Sequence, residues 1–68
     1  MRKPNKLKMY RLGLGFTQME FGNFTGINPT RISLLESGLV KPSSEEVASL
    51  ARFLNINPSE VEQAVAIQ

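Results

Sequence analysis

The chain of 68 residues has no cysteine, no histidine and no tryptophan. Without cysteine it can form neither a disulfide framework nor a thiolate metal site. Without histidine it lacks the commonest general base and the commonest metal ligand of proteins. No apolar run approaches the ~18 residues of a membrane span, and the basic start MRKPNKLK is not followed by the apolar segment of a signal peptide. We therefore expect a cytoplasmic protein with no metal, no cofactor and no membrane contact.

The length of the chain limits its chemistry, and we interpret residues 1–68 as one domain. A domain of this size buries only about 60% of its unfolded surface, which leaves little chain for a deep pocket. The sequence also lacks a convergent pair of carboxylates and a glycine-rich phosphate loop. Glu45 and Glu46 are adjacent, but they fit the first turn of a helix, where the helix dipole favours acids. The sequence therefore predicts no enzyme and no small-molecule substrate.

Charge is distributed unevenly along the chain, although the net charge is only +2. The first 16 residues contain no acid and five basic residues, namely Arg2, Lys3, Lys6, Lys8 and Arg11. The remaining residues contain three basic and six acidic residues, which is a net charge of −3. A basic N-terminal arm, residues 1–6, on an acidic body indicates contact with a polyanion. A solvated terminus without a partner is the alternative interpretation.

The apolar periodicity predicts an all-α protein, because no alternating strand pattern persists for more than a few positions. We predict five helices, over residues 5–13, 17–24, 28–36, 44–54 and 58–66. The apolar residues at helical spacing predict a core made of Leu7, Tyr10, Leu14, Phe16, Phe21, Phe24, Ile27, Ile32, Leu35, Val47, Leu50, Ala51, Leu54, Ile56, Val61 and Val65.

The ends of these helices carry recognisable signals. Three predicted starts resemble capping boxes, namely Thr17-x-x-Glu20, Ser43-x-x-Glu46 and Asn57-x-x-Glu60. The pairs Asn28-Pro29 and Asn57-Pro58 place a proline just inside a helix start, where its missing N–H has no cost. Glycines at positions 15, 26 and 38 fall where helices end and where positive φ angles are common.

The segment TQMEFGNFTGINPTRISLLESG, residues 17–38, divides one apolar pattern into two short helices. With Asn28 as the N-cap, a rotation of ~100° per residue places Ile32 and Leu35 toward the core. The same rotation places Thr30, Ser33 and Leu34 on the opposite side and Pro29 and Arg31 on the flanks. Gly22 allows a close approach of the two helices, and Gly26 takes the turn between them. Two short helices joined at a glycine, the second with polar residues outward, indicate a helix-turn-helix.

At this point the sequence resembles the lambda-repressor-like, Cro and xenobiotic-response-element (XRE) family of helix-turn-helix proteins, over residues 7–62. The resemblance is carried by Arg11, FTQMEF at 16–21, Gly26-Ile27, ISLLESG at 32–38, Pro42 and VASLARFLNINPSEV at 47–61. It implies a compact five-helix domain of bacterial or phage type that binds double-stranded DNA and associates with the nucleoid when bound. The function it implies is a sequence-specific transcriptional regulator, a repressor that acts as a homodimer on a two-fold operator.

The resemblance also implies a role for individual residues. The positions that match base-reading residues are Pro29, Thr30 and Leu34, with Ser33 beside them. The resemblance implies phosphate contact for Gln18 and Ser37 and places Lys41 in the basic loop that follows. Apart from the resemblance, we expect phosphate contact from Arg31, because it lies on the flank of the helix, and from Lys6 and Lys8, because of the basic charge of the N-terminal segment. Arg11 and Glu36 match a structural ion pair between the first and third helices. The last helix, within residues 57–68, is expected to form the dimer through Val61, Ala64 and Val65, with Ile67 on the same stripe.

The sequence departs from the family pattern on the reading face. Relatives often carry glutamine, arginine or serine where this chain has Pro29 and Leu34. Proline cannot donate a hydrogen bond and leucine offers only apolar contact, for example with a thymine methyl group. An alternative function is therefore a protein-interaction module on the same fold, such as an antitoxin or an anti-activator, with weak or secondary DNA binding and a protein partner.

Overall fold

The computed structural model of the protein describes residues 5–65, which form five helices and no strand. The helices are α1 (Lys6–Gly13), α2 (Gln18–Thr25), α3 (Pro29–Ser37), α4 (Ser44–Leu54) and α5 (Pro58–Ala64). The predicted all-α class is confirmed. None of these helices is long and apolar enough to cross a membrane. The predictions for Arg2, Lys3 and Ile67 lie outside the described residues.

Two of the three predicted capping boxes form. The Thr17 hydroxyl accepts from the Glu20 amide at 3.1 Å, and the Glu20 carboxylate accepts from the Thr17 amide at 2.9 Å. Ser43 and Glu46 repeat this arrangement at α4. The box predicted at α5 is wrong, because the Asn57 side chain caps no backbone group and its amide instead donates to the Glu60 carboxylate at 3.3 Å.

The predicted left-handed residues at helix ends are confirmed. Gly15, Gly26 and Gly38 have φ angles of 80°, 78° and 75°. A fourth left-handed residue, Asn55 with φ of 57°, ends α4 and was not predicted. Asparagine adopts this conformation at lower cost than most residues, so it substitutes for glycine at this cap.

The core lies between the five helices and includes most of the predicted residues. The largest fully buried side chains are Phe21, Leu7, Ile32, Leu35, Leu50 and Val61. Two predictions are wrong, since Leu14 is 52% and Phe24 is 62% exposed. Leu14 follows the last turn of α1, and the Phe24 ring lies at the surface, with its centroid 5.0 Å from that of Phe16.

The apolar residues of α5 belong to this core. Val61, Ala64 and Val65 are 0%, 1% and 4% exposed, because α5 packs against α1 and α4. The expectation that these three side chains present a stripe to a second copy is therefore corrected. They are covered by the rest of their own chain.

The packing of the helices exposes one face of α3. The helix is held from one side by α1 and α2, whereas α4 packs against α2 and α5. On the face of α3 away from α1 and α2, Thr30 and Ser33 are exposed, and the loop of residues 38–43 contacts α3 where the Lys41 carbonyl accepts from Arg31 at 3.3 Å.

Candidate nucleic-acid interface

The turn between α2 and α3 is tight because Gly22 has no side chain. A Cβ atom at this position would lie 2.5 Å from the Ile27 carbonyl oxygen and 3.1 Å from Pro29 Cγ. The Gly22 carbonyl accepts from the amides of Gly26 and Ile27 at 2.8 and 3.1 Å. Ile27 is buried, so the turn is anchored in the core. These contacts fix the start of α3 against the end of α2.

The open face of α3 carries the four residues predicted to read bases. Asn28 caps the helix by accepting from the Thr30 amide at 2.8 Å. Thr30 and Ser33 are exposed and Pro29 and Leu34 are half-buried. Their spacing places Thr30, Ser33 and Leu34 opposite the buried Ile32 and Leu35, and it places Pro29 on the flank of that face. Within residues 5–65, the hydroxyls of Thr30 and Ser33 have no hydrogen-bond partner.

A buried ion pair joins α1 to α3. Arg11 Nε and Nη2 donate to the two carboxylate oxygens of Glu36 at 2.6 and 3.1 Å, and Arg11 Nη1 donates to the Phe16 carbonyl at 2.8 Å. The two side chains are 7% and 3% exposed. Every buried polar side-chain atom of residues 5–65 has a partner. The pair therefore fixes the end of α3 and the segment before α2 in one arrangement.

Gln18 is attached to the same ion pair. Its Nε2 atom donates to Glu36 Oε1 at 3.2 Å, and its side chain is half-buried at the start of α2. A side-chain amide has two N–H groups and a carbonyl. The contact with Glu36 uses one N–H of the Gln18 amide and holds the amide in place. The second N–H has no partner in that contact and can donate to another group. This geometry suits a group that donates to a phosphate at a helix N-terminus.

The other residues predicted at phosphate differ in their surroundings. Lys41 is exposed in the loop after α3, and the exposed Ser37 donates its hydroxyl to the Leu34 carbonyl at 2.8 Å. Lys6 and Lys8 lie on α1, and Lys6 borders a groove between α1 and α4, so the structure does not bring it together with the reading face. Arg31 is held in an ion pair that the sequence did not predict.

The partner of Arg31 is Glu46 of α4. Arg31 Nε donates to Glu46 Oε2 at 2.9 Å, and Nη2 donates to Glu46 Oε1 at 2.7 Å and to the Lys41 carbonyl at 3.3 Å. The hydrogen bonds from Arg31 hold the pKa of Glu46 below its ordinary value, against the opposing effect of partial burial. The same contact raises the pKa of Arg31. Both groups are therefore charged at neutral pH.

Asn5 is a further positioning residue that sequence reasoning missed. Its amide donates to the Leu35 carbonyl at 2.7 Å, its carbonyl oxygen accepts from the Lys8 amide at 3.2 Å, and it is 5% exposed. It caps α1 and ties the basic start of that helix to α3. An asparagine before a helical segment is a capping signal, but no sequence rule indicates the contact with Leu35.

A second surface of different character lies between α1 and the end of α4. It is an open groove of about 520 Å³ lined by Lys6, Met9, Tyr10, Gly13, Leu14, Phe53 and Leu54. Met9 is 61% exposed. The exposed Phe24 ring is stacked on that of Phe53, with 6.2 Å between centroids. None of the residues that line the groove belongs to α3.

Acidic clusters suited to metal binding are absent from residues 5–65. A family model described as helix-turn-helix matches residues 7–61, which span α1 to the middle of α5. No curated protein and no solved structure matches the chain. The matched segment contains α2, the Gly22 turn and α3.

Proposed function

The chain belongs to the helix-turn-helix family of the lambda-repressor, Cro and XRE type, whose members are DNA-binding regulators, and on this premise we propose that it is a transcriptional repressor that acts as a homodimer on a two-fold operator. The observation that carries the proposal is the open face of α3. Its polar groups have no partner within residues 5–65, and it is held in place by the Gly22 turn and the Arg11–Glu36 pair.

Sequence preference comes from the open face of α3, inserted in the major groove. The hydroxyls of Thr30 and Ser33 each donate or accept one hydrogen bond at a base edge. Pro29 and Leu34 make apolar contacts, for which a thymine methyl group is the natural partner. None of these residues can form the bidentate contact of arginine or glutamine. The preference at each half-site is therefore modest.

Affinity comes mainly from phosphate contacts, which carry no sequence information. Gln18 donates its second amide N–H at the start of α2, and Lys41 and Ser37 contact phosphate from the end of α3 and the loop behind it. Lys6 and Lys8 add attraction from α1. Because each neutralised phosphate releases counterions, binding weakens steeply as salt rises.

A homodimer compensates for the modest preference of one half-site. Two copies on half-sites ~34 Å apart double the number of base contacts, and the two-fold symmetry of the pair selects a palindrome. Val61, Ala64 and Val65 are not part of our proposal for the contact between copies, because they are buried within one chain. We infer that the copies associate on the DNA.

The test is selection of bound molecules from random duplex DNA, followed by sequencing. We expect an enriched palindrome with half-sites about one helical turn apart. The double variant Thr30→Ala/Ser33→Ala should bind with a flattened preference. The control Ser44→Ala/Ser59→Ala removes two exposed hydroxyls from α4 and α5 and should select the native motif. A native preference in the first variant would refute the assignment of the reading face.

The groove between α1 and α4 favours a second candidate function, a protein-interaction module with secondary DNA binding. Its lining is mostly apolar, as in the grooves that accept the apolar face of an amphipathic helix. Lys6 and Lys8 form no ion pair within residues 5–65, and α1 contains no acid. A second copy in a two-fold contact would bring its own basic α1 against this one, so the like charges would repel. We therefore propose an acidic amphipathic helix of another protein as the occupant.

This second function is tested with a synthetic amphipathic helix whose polar face is rich in glutamate. We expect it to shift the NMR methyl signals of Met9 and Leu14, and we expect the same helix with lysine for glutamate not to do so. Leu14→Asp should abolish the shifts, whereas Leu39→Asp, which alters a leucine that is 59% exposed outside the groove, should preserve them. Equal binding of both peptides, or native binding by Leu14→Asp, would refute the assignment.

A further inference from the structure

Arg31 extends from α3 to α4 at the edge of the reading face. Its guanidinium donates from Nε and Nη2 to the two oxygens of the Glu46 carboxylate, at 2.9 and 2.7 Å, and Nη2 also donates to the Lys41 carbonyl. The Arg31 side chain is 37% exposed and that of Glu46 is 14% exposed. The cation is thus accessible to solvent, next to the loop that carries Lys41, but its charge is already compensated.

Glu46 cannot easily follow Arg31 toward DNA, because the start of α4 holds its carboxylate. Glu46 Oε1 accepts from the Ser43 amide at 2.8 Å, and the Glu46 amide donates to the Ser43 hydroxyl at 3.1 Å. Movement of the carboxylate would break this capping box. Arg31 must therefore leave Glu46 in order to bind a phosphate with its full charge, and the negative charge that it leaves behind would repel the DNA backbone.

We propose that Glu46 limits the affinity of the DNA interface, because it withholds Arg31 from the phosphate backbone and so lowers sequence-independent affinity. The inference rests on the proposed function. A phosphate contact strengthens binding to every sequence equally. Withholding this contact therefore weakens binding to operator and random sequence by the same factor, and it leaves discrimination to the base-reading groups such as Thr30 and Ser33.

The variant Glu46→Gln tests the role of this charge. Glutamine keeps the volume of the side chain and an acceptor for the Ser43 amide, but it pairs weakly with Arg31. We expect tighter binding to duplex DNA of random sequence. We also expect the slope of log affinity against log salt to steepen by about 0.9, the value for one further phosphate contact. The gain should then be about threefold larger at ~50 mM than at ~200 mM salt.

Glu45→Gln is the matched control, because it makes the same charge change at the adjacent residue. Glu45 is exposed and makes no contact with Arg31. We expect its salt slope to equal that of the native chain. An identical increase in both variants would mean that only the overall charge matters, and it would overturn the inference. Weaker binding by Glu46→Gln would overturn it as well, because Glu46 would then support the interface.

Arg31→Gln in both backgrounds identifies the group that is released. In the native chain this change should leave the salt slope close to its native value, although the uncompensated Glu46 charge lowers affinity, whereas in the Glu46→Gln background it should return both slope and affinity to the native level. An equal decrease of the slope in the two backgrounds would show that Arg31 already binds phosphate in the native chain, against the inference. Thermal unfolding of each variant without DNA verifies that the fold is retained.

The same measurements separate this inference from the proposed function. If neither the native chain nor Glu46→Gln binds duplex DNA at low salt, both are refuted. If the native chain selects an operator and Glu46→Gln behaves as Glu45→Gln does, only the role of Glu46 is refuted. If the native chain selects an operator, and Glu46→Gln binds operator and random DNA more tightly by the same factor and with a steeper salt slope than Glu45→Gln, both are supported.

Discussion

At the scale of single residues, the interface depends on ion pairs that do not themselves read DNA. Arg11 and Glu36 are almost completely buried, and Gln18 takes its orientation from the same carboxylate. Removing one member leaves an uncompensated charge in the core, which is much more costly than removing both. The pair therefore maintains one arrangement of α1, α2 and α3.

Glu36→Gln should lower the free energy of unfolding by about 3–5 kcal/mol, because Arg11 keeps its charge in a buried site. Urea denaturation measures the change, with Glu62→Gln as an exposed control that should be close to neutral. Arg11→Met/Glu36→Leu, which removes both charges, should recover most of the loss. A loss of less than about 1 kcal/mol in Glu36→Gln, the usual size for an exposed pair, would contradict the buried arrangement.

The Arg31–Glu46 pair should make stability depend on acidity. Because contact with Arg31 lowers the pKa of Glu46 in the folded chain, its contribution is complete above the pKa of the unfolded chain, about 4.3. It is lost as pH falls through the lower pKa of the folded chain. The difference in unfolding free energy between the native chain and Glu46→Gln should therefore be constant near neutral pH and shrink in acid. If the difference in unfolding free energy grew as the pH fell, it would contradict the stabilising contact between Arg31 and Glu46.

At the scale of helices and turns, the α2–α3 unit depends on local chemistry at its ends. The Thr17 capping box begins α2, the left-handed Gly26 ends it, and Asn28 with Pro29 begins α3. Each signal could be recognised in the sequence, because caps and turns depend on residues within three or four positions. The sequence also indicated that Gly22 lets the two helices approach closely, but the atom that limits its size, the Ile27 carbonyl oxygen across the turn, is known only from the structure.

Gly22→Ala should destabilise the fold and weaken DNA binding, because the new Cβ would overlap the Ile27 carbonyl, 2.5 Å away. Overpacking of this kind costs roughly 1–3 kcal/mol. Gly13→Ala is the matched control, since a Cβ at Gly13 in α1 meets nothing within 4 Å. It should be neutral or stabilise by about 0.5–1 kcal/mol. Chemical denaturation of both variants provides the comparison, and equal effects would contradict the tight turn.

At the scale of the whole molecule, the small core leaves two different surfaces, the face of α3 predicted to read DNA and the apolar groove between α1 and α4. The dimensions along the principal axes are 29 × 24 × 20 Å. The core takes up the apolar side of α5, whereas Met9, Leu14 and Phe24 stay exposed. Met9 and Leu14 line the groove between α1 and α4, and no residue of α3 takes part in that lining. We therefore expect that DNA on α3 and a protein helix in the groove do not compete for the same residues of α3.

The free chain should be monomeric at micromolar concentration, because Val61, Ala64 and Val65 are buried and the exposed side of α5 carries Glu60 and Glu62. Sedimentation velocity measures the oligomeric state without DNA and with duplexes that carry one or two half-sites of the selected motif. We expect one copy on the first duplex and two on the second. A dimer in the absence of DNA would refute our inference that the copies associate on the DNA.

The sequence by itself determined the five helices, the capping boxes of α2 and α4 and the family, because periodicity, capping residues and glycine positions act over a few residues. It also placed Thr30 and Ser33 outward, since helical rotation alone separates them from Ile32 and Leu35. Only the tertiary structure decided that Val61, Ala64 and Val65 are covered, that Phe24 is exposed and that Glu46 holds Arg31. Those outcomes depend on which helices pack together and how closely, and one-dimensional patterns contain no distances between residues far apart in the chain.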